Sequence, residues 1–404
     1  MTNYKFILNM LILSFISQLG LSCSPTKFSN NSNSLCDAAN SNENCIVSNG
    51  VTTVSQEFEV GSGKVDILFV NDNSASMSKI QQELASRFSG FIEKLDLKNI
   101  DYNIAITTTD IVSQTAGTLI EMAPGKKYLN RLDSNRVSLF NSAIVRRETA
   151  QCESFIKSAY NTYGPIFNTT AYYSNNYDLN CPSNDERGIF SAHDVLSNNI
   201  NSFIRKDANL NIILISNEDV RSGLYRSSQY ANAYLLDNKD KASNFSKMMS
   251  ANYPDKFWEF NSIITKDNAC ALEQQNLFTG SNGQVIKDQF GSYAIAVNSG
   301  LEYAALSASA SKDIDGNNSP RGQILNICSS DYSVYFSNIA GKISDSARLF
   351  NLKCKPTEAP VVSLTNGAVA NIPYSWDGGS KIVFKKGSEG LKINISYKCY
   401  TGVK

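Results

Sequence analysis

The spacing of apolar and polar positions changes period many times along the chain. Val65–Val70 (VDILFV) is short, apolar and rich in β-branched residues, as a buried strand is. From Ser76 onward, Ile80, Leu84, Phe88, Phe91, Ile92 and Leu95 recur at helical spacing. Residues 101–109 (DYNIAITTT) alternate and predict a second strand; 117–122 and 126–129 predict an edge hairpin. Helices are expected over 148–160, 188–204, 227–249, 301–309 and 332–343. Strands are expected at 210–216 (LNIILIS) and 256–265, the former apolar enough to be buried on both faces. Residues 161–185 and 267–300 read as polar or loop-rich insertions. Strands alternating with helices argue for an α/β unit, a doubly wound and mostly parallel sheet, over residues 56–347.

Beyond residue 348 the pattern changes. Val361–Leu364, Ile382–Phe384 and Leu391–Tyr397 read as short strands, with turn signals at Asn366-Gly367 and Asp377-Gly378-Gly379. Residues 348–404 are therefore expected to form a small all-β unit, stapled by the cysteines that bracket it. At the other end, Phe6–Ile16 is apolar but too short to span a bilayer. Leu19-Gly20-Leu21-Ser22-Cys23 resembles a bacterial lipoprotein cleavage site, with Gly20 where leucine is usual. The resemblance implies a signal peptide over 1–22, a lipidated Cys23 and, with Ser24 next, an outer-membrane lipoprotein of a Gram-negative cell envelope. An ordinary secretory signal is the alternative. Residues 23–55, rich in Asn and Ser, read as a flexible tether.

Composition narrows the partners. Lys plus Arg equals Asp plus Glu at 37 each, which argues against nucleic acid and against an anionic membrane surface as the main partner. Nine cysteines less Cys23 leave an even number, which suits an oxidising compartment. Pairing of neighbours is expected: Cys36–Cys45, Cys152–Cys181, Cys270–Cys328 and Cys354–Cys399. A single histidine and no Cys-x-x-Cys argue against zinc.

The candidate chemistry lies where the first strand meets the first helix. Asp72, Ser74 and Ser76 stand at i, i+2 and i+4, so in extended chain their oxygens share one side. Such oxygens suit a hard divalent cation; Ser74 and Ser76 equally suit the capping of the helix that follows. VDILFVNDNSASM closely resembles the first motif of the von Willebrand factor A family, Asp-x-Ser-x-Ser after a strand, which opens a metal-ion-dependent adhesion site. Residues 201–219 (NSFIRKDANLNIILISNED), Thr107-Thr108-Thr109-Asp110, Ile327-Cys328 and the β-rich tail resemble secreted bacterial members of that family.

The resemblance implies further ligands. The family's threonine falls on Thr149, in Arg146-Arg147-Glu148-Thr149, and its aspartate after the central strand falls on Asn217. Asn217 offers a carbonyl oxygen but one charge fewer, which Glu218 or Asp219 could replace through water. The expected ion is Mg2+, Ca2+ or Mn2+, bound more weakly than in a full site. The expected function is non-catalytic: binding of a protein or surface ligand that presents a carboxylate, in adhesion or assembly. The alternative is a structural envelope lipoprotein whose metal site is inert. An enzyme is not expected. His193 has no nucleophile elbow near it, Gly61-Ser62-Gly63-Lys64 lacks the spacing of a phosphate loop, and Asp313–Asn317 lacks the glutamate that closes a calcium loop.

Overall fold

A computed structural model describes residues 43–112, 117–183, 185–366 and 371–400. The expected leader, Cys23, Cys36 and residues 23–42 of the tether lie outside the described residues, as does Gly367.

The described residues begin with an antiparallel hairpin, β1 (Glu43–Ser48) and β2 (Val51–Glu59). This corrects the expectation of a tether as far as residue 55. The turn is Asn49-Gly50, both at positive φ (50° and 74°), the backbone that a two-residue hairpin requires. Then follow β3 (Lys64–Asn71), α1 (Ser78–Leu97), β4 (Asp101–Thr108), β5 (Leu129–Asn130), α2 (Arg136–Ile144), α3 (Arg147–Tyr163), α4 (Ala171–Asn180), α5 (Gly188–Ser197) and β6 (Asn209–Ser216). The rest comprises α6 (Ala242–Asn252), β7 (Trp258–Ile264), α7 (Asn268–Leu277), α8 (Leu301–Ala308), β8 (Ala310–Lys312), β9 (Asn318–Pro320), β10 (Ile324–Asn326), α9 (Tyr332–Ser346), and β11 to β15 (Leu349–Asn351, Val361–Leu364, Tyr374–Trp376, Lys381–Phe384, Lys392–Tyr400).

The central sheet runs β10-β7-β6-β3-β4-β5; every neighbouring pair is parallel except β4–β5. Helices cover both faces, so the α/β class stands. Alternation along β3 explains how. Val65, Ile67 and Phe69 face α1, α2 and α9, where Phe69 meets Phe140 with ring centroids 4.9 Å apart. Leu68 and Val70 face α5, α6 and α8. Burial on both faces needs an unbroken apolar run, which β3 and β6 supply.

The expected helix at 227–249 begins only at Ala242. Arg187 binds Asp237 and Asp240, and those two aspartates form a capping box, so the preceding segment is fixed by ion pairs instead of helical turns. The helix expected over 188–204 stops at Ser197, and Asn199 and Asn201 adopt positive φ. The hairpin expected at 117–129 shrinks to β5 and one turn in which the Met122 amide donates to Lys126 O.

The two insertions pack on each other. Phe155, Ile156 and Phe167 from α3 and the turns after it meet Phe278, Ile286, Ile295 and Val297, forming a satellite core that also takes in Ala75. Cys152–Cys181 and Cys270–Cys328 are disulfides on its two sides, and Cys354–Cys399 closes the β unit. In that unit β15 lies between β2 and β12, all antiparallel, so residues 43–59 complete a sheet with the far end of the chain. Their common core holds Val54, Ile382, Phe384, Ile393, Ile395 and Tyr397.

Candidate functional site

Residues at the carboxyl ends of β3, β4 and β6 meet in one place, where ligands of open α/β sheets sit. Asp72 is the first residue past β3. Its amide still donates to Ile215 O on β6, at 3.0 Å, so the chain turns while held against its neighbour. The Asp72 carboxylate is fully enclosed. Oδ1 accepts from the Ser74 amide at 2.8 Å, and Oδ2 accepts from the Ser216 hydroxyl at 2.6 Å. The Ser74 and Ser76 hydroxyl oxygens lie 3.0 Å apart, and Ser76 Oγ donates to Asn217 Oδ1 at 3.1 Å. Asp72, Ser74, Ser76 and Asn217 thus form one arc of oxygens. The turn Ala75–Met77 and α1 both begin without a side-chain cap, so the serines are not spent on capping.

Thr149 lies against the same loop but turns its hydroxyl to Asn73 O at 2.7 Å and accepts from Gln81 Nε2 at 3.2 Å. Gln81 Nε2 also donates to Asp72 O, which ties α1 and α3 to the motif. Asn217 is fixed by its Nδ2, which donates to Gln274 Oε1 at 2.9 Å. Asp219 is a correction: its carboxylate is used elsewhere. Oδ1 accepts from the Glu302 amide in the first turn of α8, and Oδ2 accepts from Tyr225 and pairs with Arg226 at 3.3 Å. The turn after β6 carries it past the arc toward α8.

Two further carboxylates surround Asp72. Glu218, next after Asn217, is buried, and its Oε2 has no hydrogen-bond partner. Glu186 is also buried; one oxygen accepts from Thr109, just past β4, and Oε1 has no partner. Burial and then the Asp72 charge push the Glu218 carboxyl up to about 8. Burial, then the charges of Asp72 and Glu218, raise Glu186 well above the usual carboxylate range. Burial raises Asp72 as well, opposed by its hydrogen bonds from Ser216 and Ser74. Among the described residues no lysine or arginine pairs with any of the three. The nearby guanidiniums serve other acids: Arg187 binds Asp237 and Asp240, Arg221 binds Asp185, and Arg226 binds Asp219. Glu218 was visible in the sequence as a substitute charge. Glu186 was not: Asp185-Glu186-Arg187 reads there as polar loop, and only the fold folds it inward.

These residues fit a hard cation. The donors are oxygens, and two buried carboxylate oxygens lack partners. Among the described residues no three His, Cys, Asp or Glu side chains converge on one point. An ion in the arc would therefore rest on hydroxyl and amide oxygens, with Asp72 as its charged partner.

No known family profile matches the sequence, and no curated protein does. Solved structures with a similar arrangement include the pilus adhesin SpaC from Lactobacillus rhamnosus GG (10% identity, 88% of this chain and 42% of that one, TM-score 0.33). They also include a von Willebrand factor type A protein from Catenulispora acidiphila (10% identity, 87% and 61%, TM-score 0.29). A third is the type V pilus tip protein Mfa5 from Porphyromonas gingivalis, in three N-terminal domains (10% identity, 89% and 67%, TM-score 0.25). The chain spans less than half the length of the SpaC chain it matches.

Proposed function

We propose that this chain is an envelope-anchored binding protein of the von Willebrand factor A type. Its strand-end site grips a protein or surface ligand that presents a carboxylate, through a divalent cation. The observation that carries this reading is the hydrogen-bonded arc of Asp72, Ser74, Ser76 and Asn217 at the carboxyl edge of the sheet. Asp72 gives the arc its charge, the serines give neutral oxygens, and Asn217 closes it from β6. A bound Mg2+, Ca2+ or Mn2+ would supply one open coordination position for the partner's carboxylate. The residues themselves break no bond; they hold the geometry of the arc. Ser216 and Gln81 keep the motif loop in shape. On this reading a lipid on Cys23 anchors the protein to a membrane, with the outer membrane of a Gram-negative envelope as the expected address.

Thermal unfolding with and without Mg2+, Ca2+ or Mn2+ tests the reading, because an ion that binds the folded state raises its midpoint. A rise that is lost on addition of chelator and in Asp72→Ala supports it; no rise at millimolar cation refutes it. Retention of a partner from envelope extract should likewise depend on the cation. Mass spectrometry of the mature N-terminus tests the lipid on Cys23. One observation favours a second reading, a structural lipoprotein with an inert site: the Thr149 hydroxyl is committed to Asn73 O. In that case the β unit or the insertions make the contacts and the chelator changes nothing.

A further inference from the structure

The chain has two tryptophans, Trp258 and Trp376, and both line one cleft. It opens at the amino end of β7, the pole of the parallel sheet opposite the Asp72 arc. Its other walls are β8 with the turn after it and the three-stranded sheet β11-β14-β13, so segments distant in sequence build it together. Arg348 holds those walls to each other. Its Nη1 and Nη2 donate to the Asp315 carboxylate at 3.2 and 2.8 Å, and Nη1 also donates to Phe384 O on β14. The space measures about 560 Å³, within the usual range of small-ligand sites. Trp376 is half-buried, and its Nε1 donates to Gly379 O at 2.8 Å, so what it offers the cleft is ring carbon.

The charge around these rings is unevenly used. Lys312 is exposed, Lys381 is half-buried, and among the described residues neither forms an ion pair. Arg321 lies over the Trp258 ring, 4.1 Å from its centroid. Its Nη1 reaches only Trp258 O, at 3.4 Å, and its enclosed Nε has no partner. The acid whose charge bears on it, Glu259, accepts from Asn211 instead. The acids of the cleft are engaged by other groups: Asp313 accepts from Asn317, Asp315 from Arg348, and Asp377 from the Gly379 amide. Lys256 gives its ammonium to Arg205 O and Ala208 O and adds charge alone. We infer that this cleft is a second binding site, for an acid-bearing sugar such as a uronic acid residue. The C–H face of the sugar ring packs on Trp376, and the uncommitted cations take its carboxylate. Asp313 and Asp377 keep lone pairs for its hydroxyls. An acidic peptide would satisfy the cations but bring its own charges against those two acids. The site needs no metal, so it stands whether or not the Asp72 arc holds one.

The experiment titrates the full chain, in chelator, with digalacturonate, with its neutral methyl ester and with tetraglutamate. Calorimetry reads binding, and tryptophan emission reports where it occurs, because both indoles of the chain line this cleft. Digalacturonate should bind, shift the emission and weaken as salt is raised. The methyl ester and Arg321→Gln should each weaken binding about tenfold or more, the loss of a charged hydrogen bond; Lys381→Gln should weaken it less. Absence of binding by the acid, binding without an emission change, or an ester that binds as tightly as the acid overturns the inference. So does tetraglutamate binding as tightly as the sugar, which would make the cleft a peptide site. If Arg321→Gln fails to fold, Lys381→Gln decides, and affinity equal to wild type counts against the cations. Since chelator is present throughout, neither result bears on the Asp72 reading.

Discussion

Asn217→Asp is the substitution that most sharply separates a cation site from an inert one. Asn217 is fully buried, its Oδ1 accepts from Ser76, and its Nδ2 donates to Gln274. Its backbone amide also donates to the Asp72 carboxylate, so a charge on the side chain would enter the loop that already holds Asp72. Two like charges about 4 Å apart repel by on the order of 4 kcal/mol at an effective dielectric of about 20, an upper bound here. Loss of the donor to Gln274 adds roughly 1–3 kcal/mol unless that amide turns over. Protonation of one acid caps the total, so the metal-free protein should lose up to about 4 kcal/mol, a fall of several degrees in melting point. Millimolar Mg2+ or Mn2+ should reverse the sign: with the missing carboxylate restored, the cation-dependent rise in Tm should exceed that of wild type. Differential scanning calorimetry in chelator and in excess cation reads both numbers. Equal cation-dependent shifts in variant and wild type would refute the claim that Asn217 faces the ion.

Three other outcomes follow from the same structure. Burial pushes the Glu259 carboxyl up to about 7, despite Lys342, Arg321 and a hydrogen bond from Asn211. The folded state therefore holds this proton longer than the unfolded chain does, and folding loses stability as pH rises from about 4.5 to about 7, by roughly 3 kcal/mol. Glu259→Gln should flatten that window and raise Tm at pH 8 with little effect at pH 4; parallel pH profiles would count against it. Replacing Cys354 and Cys399 by serine opens a span of 45 residues and should cost about 4 kcal/mol in the β unit by the loop-entropy relation, read as an earlier urea transition of that unit. Amide hydrogens of β2 should exchange as slowly as those of β15, since the two pair along their whole length; tether-like rapid exchange at 52–58 would contradict the sheet.

Much of the architecture was legible in the chain because burial on both faces imposes an unmistakable pattern. VDILFV and LNIILIS can only be inner strands, and the stretches between them carry the helical period. The failures share a cause: interactions distant in sequence. Residues 227–241 have helical spacing but are held by Arg187, fifty residues away in the chain. β1 and β2 look polar because half of each faces water, yet Asn49-Gly50 between two alternating runs was a readable hairpin signal. Their partner strand lies at the far end of the sequence, which no local window reveals.

The site divides along the same line. Asp72, Ser74 and Ser76 are neighbours in sequence, and the fold keeps their oxygens together at the end of β3. Asp219 was offered by the sequence as a substitute charge acting through water, but the direction of its side chain depends on Tyr225, Arg226 and the start of α8. Glu186 carried no signal, because an acid in a polar loop reads as solvated. What makes it notable is the combination of depth and an unpartnered oxygen. The satellite core of 152–181 and 270–297 packs against Ala75 and walls one side of the strand ends. Segments that look expendable in the sequence thus reach the motif loop through Ala75. Loosening that wall, as reduction of Cys152–Cys181 would, should admit water to the acids and weaken Mn2+ binding even though no ligand is touched. Unchanged affinity after selective reduction would show that the arc keeps its field without the wall.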